Sequence, residues 1–466
     1  MDHFFIMPTS NRGIASTELK SVLNLGWPMV LTQLCIMATG FLDTAMAGHY
    51  SSVDLAGISI AGSILWPLFL LLTGTTMALT PIAAQLLGAN NNKAIGHQIR
   101  QGLWICCITS TLLTLGIINA APIYQLAEID PAASQIAVEY LQAVAWGIPP
   151  VVFYVALRHT SEGVGRPRPP MIIAASILPL NALLNYAFIY GHFGFPEMGG
   201  VGCGWATAVV FWVEFFAMLF VIRLPYFKRT GLFDQFEWPD PQTIKRIFRV
   251  GAPIGLSVFL EMALFSVIAL LIARIGVNEV AANTIASNLN WLTYVIPMAL
   301  GSAASIRVGF HIGAQDLPAA RATAATVYQF SIGYALVMSM ILIGFRYFLI
   351  GIYTTDPEVI EIAATLLLFI AVYQIVDDSQ AVTIGALRGY KDTRIPMLFS
   401  LIGYWFIALP VGYSLSKGML MPGLAPGVYG YWTGLTLGLA IVAVCVGLRL
   451  WKVSQNPKLV RRLAAG

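Results

Sequence analysis

Long apolar runs, each about as long as a bilayer is thick, alternate along the chain with short polar, Gly-rich or Pro-rich breaks. A helix rising 1.5 Å per residue needs about 20 apolar residues to cross the hydrocarbon core. The runs therefore predict spans near 22–47, 54–86, 98–121, 134–160, 168–192, 201–225, 247–274, 279–308, 322–346, 358–387, 395–416 and 427–451. The breaks GANNNK, EIDPAA, GVGRPRPP, FPEMGG, TTDPE, RGYKDTR and MPGLAPG carry the residues that interrupt helices. The alternating ten-residue strands of an outer-membrane barrel are absent. Composition agrees. The chain is 58% hydrophobic and 10% charged, with a mean hydropathy of +0.75, whereas a soluble domain carries about 25% charge. The expected class is an all-α polytopic membrane protein with twelve transmembrane helices.

Twelve spans put both termini on one side. If that side is the cytoplasm, every Lys and Arg except Arg274, Arg346 and Lys417 lies in cytoplasmic segments or helix ends, as the positive-inside rule requires. The first residues lack the basic start, apolar centre and small-residue cleavage site of a signal peptide, so the first span is expected to direct its own insertion. The expected organisation is a cytoplasmic N-terminus (1–21), an N-lobe of six spans (22–225), a cytoplasmic linker (226–246), a C-lobe of six spans (247–451) and a cytoplasmic C-terminus (452–466). The net charge of +4 is modest and forms no basic cluster, so no nucleic-acid partner is expected. The five cysteines show no zinc-type spacing and no disulfide framework.

The two lobes repeat one another. At a shift of 225, Gly26 and Pro28 match Gly251 and Pro253, Trp66 matches Trp291, and Gly88–Ala89 match Gly313–Ala314, without a gap. Arg168, Pro170 and Met171 match Arg394, Pro396 and Met397 at a shift of 226, and Gly200–Val201 match Gly427–Val428 at 227. Six spans per lobe make the repeat parallel, related by an axis along the membrane normal. Such architectures bind substrate near the midplane and alternate access by rocking.

Against this apolar background a few acids stand out: Asp43, Glu261 and the pair Asp377–Asp378. A charge at the bilayer centre costs at least roughly 2.5–3.5 kcal/mol, which makes each a functional candidate. Asp43 aligns with Ile268, and Glu261 with Ile36, so the acid has moved seven residues between lobes. Seven residues is about two helical turns, the same helix face at depths about 10 Å apart. Asp377 and Asp378 point about 100° apart, so one is expected to face a cavity and the other to be paired or peripheral. Tyr294 offers an oxygen or a ring face for a cation, and Phe69 is its partner in the repeat. Asn181 and Asn185 are four apart, on one face, and can join Asp43 in an N-lobe polar site or simply bridge helices. Gln33 and Glu214 are weaker candidates, and Glu162 is expected to pair with Arg158 one turn earlier. Each acid also has a purely structural reading, as a hydrogen-bonded group between helices. No P-loop is present, which leaves an ion gradient rather than ATP as the energy source.

The chain resembles the multidrug and toxic compound extrusion (MATE) family, NorM-like bacterial branch. The resemblance rests on LGWPMVLTQ with FLDTAMAG, PIAAQLLGA, GRPRPPM, PLNALLNYAFIYG, GGVGCGWATA, VGAPIGLSVFLE, GSAASIRVGFHIGA and ALRGYKDTRIPM, and covers about 20–450. It implies two six-helix lobes opening as a V, in a bacterial inner membrane. It also implies export of cationic, amphipathic drugs and dyes in exchange for Na+ or H+. The family's cation-site Glu falls on Glu261, its aromatic partner on Tyr294, its tenth-helix Asp on Asp377, and its first-helix Asp on Asp43. Asp356 in TTDPE matches an acid near the outer substrate entrance. Na+ or a proton is thus expected at Glu261 and Asp377, with Asp378 beside them and no other cofactor. Two departures stand. The position after the tenth-helix Asp is often apolar in relatives and is Asp378 here, and Asn185 stands where other branches carry an Asp for an N-lobe proton site.

Two readings compete with export. A lipid-linked sugar flippase of related two-lobed fold needs a more basic cavity for phosphate. A membrane-embedded prenyl transferase needs acid-rich metal-diphosphate motifs at helix ends, and none appears. The expected partners are cationic small molecules and the lipid bilayer, and two lobes in one chain make a monomer sufficient.

Overall fold

The computed structural model describes residues 12–126, 130–419 and 427–465. The polar N-terminal segment, part of the EIDPAA break and most of MPGLAPG lie outside them. The long helices are α1 (Arg12–Tyr50), α2 (Ser52–Thr73), α3 (Leu79–Gly88), α4 (Asn92–Ile118), α5 (Pro131–Ala145), α6 (Ile148–Gly163), α7 (Arg168–Ile189) and α8 (Gly200–Ile222) in the first half. The second half contributes α9 (Pro241–Ile272), α10 (Val277–Gly313), α11 (Leu317–Gly344), α12 (Pro357–Gly389), α13 (Arg394–Leu401), α14 (Leu409–Ser416), α15 (Val428–Gln455) and α16 (Pro457–Ala465). Among the described residues, 11 helices are long and apolar enough to cross a membrane, and a bent pair brings the number to 12.

That bent pair is α5 with α6, where the apolar pattern predicts one span, 134–160. The two meet at 56°. Pro149 and Pro150 supply no backbone N–H and crowd the preceding carbonyls, which breaks the helix at Trp146–Gly147. The 395–416 span is also irregular: a π-helical segment, Ile402–Ala408, joins α13 to α14. In the second span a 3-10 turn, Gly74–Ala78, separates α2 from α3.

Among the described residues the chain divides into two compact units. One is Trp27–Gly255; the other joins the chain up to Gly26 with that from Leu256 onward. The division falls inside helices, near Pro28 of α1 and Pro253 of α9. Each boundary has its own local packing. Gly26 faces Leu300 of α10 in the second unit, and Gly251 lies against the backbone of Thr75 in the first. These two contacts occupy matching positions of the repeat. The first turns of α1 are further held by Glu18, only 5% exposed, which accepts from Arg307 Nε at 3.1 Å and Nη2 at 2.5 Å, and from Thr323 Oγ1 at 2.9 Å.

The repeat extends to backbone conformation. Left-handed φ values recur at Asn90 and Gln315, Gly165 and Lys391, and Gly191 and Gly418, at the same 225 to 227 shifts read from the sequence. A non-Gly residue with positive φ is uncommon, so the Asn90–Gln315 pair in particular marks the two halves as copies of one backbone plan. Aromatic pairs recur as well. Trp66 meets Phe69 edge-on at 6.0 Å, and Trp291 stacks on Tyr294 at 5.7 Å.

In the first unit the segment before α9 is clamped onto α4. Arg100 donates to the carbonyls of Gly231 (2.5 Å) and Leu232 (3.1 Å), and its Nη2 lies 2.6 Å from Glu237 Oε1. His97 Nδ1 is 2.6 Å from the other Glu237 oxygen. Trp104 donates to the Glu237 carbonyl, Gln101 donates to that of Trp238, and Asp240 N donates to Gln101 Oε1.

Candidate cation site in the second unit

A cavity of about 460 Å³ lies within the second unit, lined from α9, α10, α12 and α15. α9 brings Glu261 and Phe265, a turn apart on one face. α10 brings a polar stripe: Asn283, Ser287, Asn290 and Tyr294, spaced four, three and four residues apart, the period of one helical face. α12 brings Tyr373 and Asp377, again four apart, and α15 brings Trp432. Glu261, Tyr294 and Asp377 thus face one space. Helix approach is close here because Gly301 of α10 and Gly385 of α12 meet backbone to backbone: a Cβ on Gly385 would fall well inside contact distance of the Gly301 carbonyl. Small residues at such crossings let membrane helices pack tightly.

The chemistry of the lining is oxygen-rich and acidic. The charges of Glu261 and Asp377 act on one another, and the Tyr373 hydroxyl is within hydrogen-bonding reach of Asp377. Neither acid forms an ion pair with Lys, Arg or His among the described residues. Arg388, further along α12, exerts its charge on Glu261 and Tyr294. Asn290 Oδ1 is buried without a hydrogen-bond partner. Two carboxylates in a low-dielectric setting repel unless a proton or cation lies between them. Carboxylate and amide oxygens are the ligands a hard cation takes, so the donor set fits one. Trp432 is fixed by donating from Nε1 to Asn283 Oδ1 at 2.9 Å and packs edge-on against Tyr373 at 5.4 Å.

Asp378 does not line this cavity. Its side chain leaves α12 about 100° from that of Asp377, with Gln374 Nε2 3.5 Å from Oδ2, while Ser331 of α11 donates to its main-chain carbonyl at 3.1 Å. Asp356 is exposed and caps α12, accepting from Glu358 N at 2.9 Å.

In the first unit Asn185 Nδ2 donates to Asp43 Oδ1 at 2.7 Å and to Asn181 Oδ1 at 3.1 Å, so α1 and α7 assemble one polar site. Cys203 and Thr207 of α8 also stand beside the carboxylate. Glu162 pairs with Arg158 at 2.8 Å, and the charge of Arg158 also reaches the buried Glu214. Phe69 packs against the core of the first unit. Gln33 is partly buried on α1.

Sequence reasoning missed Asn283, Ser287 and Asn290, although their spacing is a signal: a polar stripe on an otherwise apolar span. It also missed Tyr373 and Trp432, whose residue types are too common in spans to stand out.

A polar, acid-lined cavity held among apolar spans is the arrangement of a membrane transporter. The family model described as MatE matches residues 28–187 and again 253–414, once in each half. The multidrug resistance protein PmpM of Pseudomonas aeruginosa is 41% identical over 459 residues, covering 97% of this chain and 94% of its own. Among solved structures, the Vibrio cholerae MATE transporter VcmN in the bent form superposes with a TM-score of 0.85 at 18% identity, covering 96% of this chain and 99% of its own. The eukaryotic MATE transporter AtDTX14 gives 0.84 at 20% identity, covering 97% and 100%. At these identities the structural likeness speaks for the fold. The chain belongs to the MatE family, whose members are membrane transporters and not enzymes.

Proposed function

We propose that the protein is a secondary active multidrug exporter, moving cationic, amphipathic drugs and dyes outward in exchange for Na+ or H+ by alternating access. The observation that carries this reading is the facing of Glu261 and Asp377 across one cavity without a balancing ion pair. A coupling cation bound there relieves their repulsion, with Tyr294, Tyr373 and Asn290 supplying further oxygens. An organic cation is attracted by the same negative field and by aromatic faces, so the two cations compete for the same acids. Exchanging one monovalent ion for one monovalent drug moves no net charge, so the ion's concentration gradient drives export: a tenfold ion gradient supplies about 1.4 kcal/mol, enough for about a tenfold drug gradient. Asp43 with Asn181 and Asn185 is a second polar site on the substrate path, and Asp356 lies near the outer entrance. The multidrug resistance name of the Pseudomonas relative supports the cargo class. The Lys and Arg distribution supports an inner-membrane protein with both termini cytoplasmic, and a monomer suffices. A flippase would need a basic cavity, and among the described residues no Lys or Arg lines this one.

The test is ethidium efflux from proteoliposomes, with Na+ and pH gradients imposed separately. Efflux is expected under one of them, reduced more than tenfold in Glu261→Gln. Full ion-driven efflux by that variant would sink the scheme.

A further inference from the structure

The π-helical segment Ile402–Ala408 sits behind the cavity acids. A π turn holds one residue more than an α turn, is rare, and recurs at functional sites. Here its surroundings fix it. Gly403 is seated on α15, where a Cβ would collide with Val442, and Gly438 lies against the Gly403 carbonyl. The opposite side of the turn makes two directed contacts. The hydroxyl of Tyr404, a residue only 1% exposed, accepts from Gln380 Nε2 at 2.5 Å; Gln380 lies about one turn beyond Asp377 on α12. The next residue, Trp405, donates from Nε1 to the carbonyl of Leu260 at 3.2 Å, and Leu260 immediately precedes Glu261 on α9. Tyr404 also interacts electrostatically with both Glu261 and Asp377.

We infer that this π turn is a positioning element for the coupling site: Tyr404 and Trp405 tie the helix of Asp377 to the helix of Glu261 and set the spacing of the two carboxylates. Removing the extra residue would rotate everything beyond it by about 100° relative to what precedes it, turning α14 against α13. Neither residue lines the cavity. Their effect on ion binding is therefore indirect, through the two helices they hold, and the inference rests on the exporter reading of those acids.

The experiment measures ethidium efflux in proteoliposomes as a function of the concentration of whichever cation, Na+ or H+, drives the wild type. Tyr404→Phe removes the hydroxyl and keeps the ring; Trp405→Phe removes the indole N–H with its five-membered ring and leaves a smaller aromatic ring in place. Each is expected to raise the half-saturating cation concentration at least threefold, with the KM for ethidium within twofold of wild type. Tyr413→Phe, on the exposed side of α14, serves as control and is expected to leave both unchanged. A merely structural role would lower the yield or maximal rate and leave the half-saturating concentration alone, which would overturn the inference. Should Trp405→Phe fail to fold, Gln380→Ala breaks the Tyr404 contact from the other side and gives the same readout. A wild type driven by neither cation would overturn the exporter reading and this inference together. A driven wild type with unshifted variants would overturn the positioning role alone.

Discussion

Asp377 and Asp378 leave α12 about 100° apart, and that angle gives them different surroundings. Asp377 faces the cavity with Glu261, while Asp378 is fully buried outside its lining, with Gln374 beside its carboxylate. In Asp378→Asn the side-chain volume and the Gln374 contact are kept, so ion-driven ethidium efflux should remain within about threefold of wild type. Asp377→Asn, assayed beside it, should lose more than tenfold. Equal losses would return Asp378 to the ion path, beside Glu261 and Asp377, where the sequence reading first placed it. At this scale the acids were legible because a charge in an apolar run is costly and therefore conspicuous. Asn290 was not, because an amide costs less, and only the cavity shows that its oxygen has no partner.

At the scale of elements, the crossing of α10 and α12 depends on Gly301 and Gly385. Gly385→Ala should force the two helices apart and cost about 1–3 kcal/mol, the usual cost of overpacking. A lowered thermal midpoint in detergent checks this, and an unchanged midpoint would mean the helices are not so close. The segment before α9 supplies a pH prediction. Arg100, with His97 and Gln235, holds the Glu237 carboxyl down to about 2 from its ordinary 4.5, against some cost of burial. A carboxyl depressed in the folded state stabilises above its unfolded pKa and loses that contribution as pH falls through its folded one. The clamp should therefore resist limited proteolysis from about pH 8 to about pH 5 and open progressively below. Glu237→Gln should be cut at neutral pH, and a variant as resistant as wild type would mean the clamp does not depend on this charge. Helix existence was readable from hydropathy alone. The break at Gly147 follows from two adjacent prolines, a local signal that the one-span reading of 134–160 passed over, whereas the π turn carries no local sequence signature because its cause is the seat offered by α15.

For the whole molecule, the two compact units do not coincide with the two halves of the sequence. The first turns of α1 belong with the second unit and those of α9 with the first. Residues 1–233 alone would lack Arg307 and Thr323, which hold Glu18, and the unit against which the first turns of α1 pack. Residues 1–233 and 234–466 expressed separately should be degraded, and co-expression should restore a stable, ethidium-exporting protein. Two halves each stable alone would refute this division. By itself the sequence determined the twelve apolar spans and the parallel repeat. Spanning follows from the composition of each run, and the repeat leaves its mark in the glycines, prolines and tryptophans that the shared geometry needs. Only the tertiary structure decided which unit claims the start of α1 and α9, and which acid of the adjacent pair meets Glu261. Those outcomes depend on helix rotation and on close approach between segments far apart in the chain, and no local pattern encodes them.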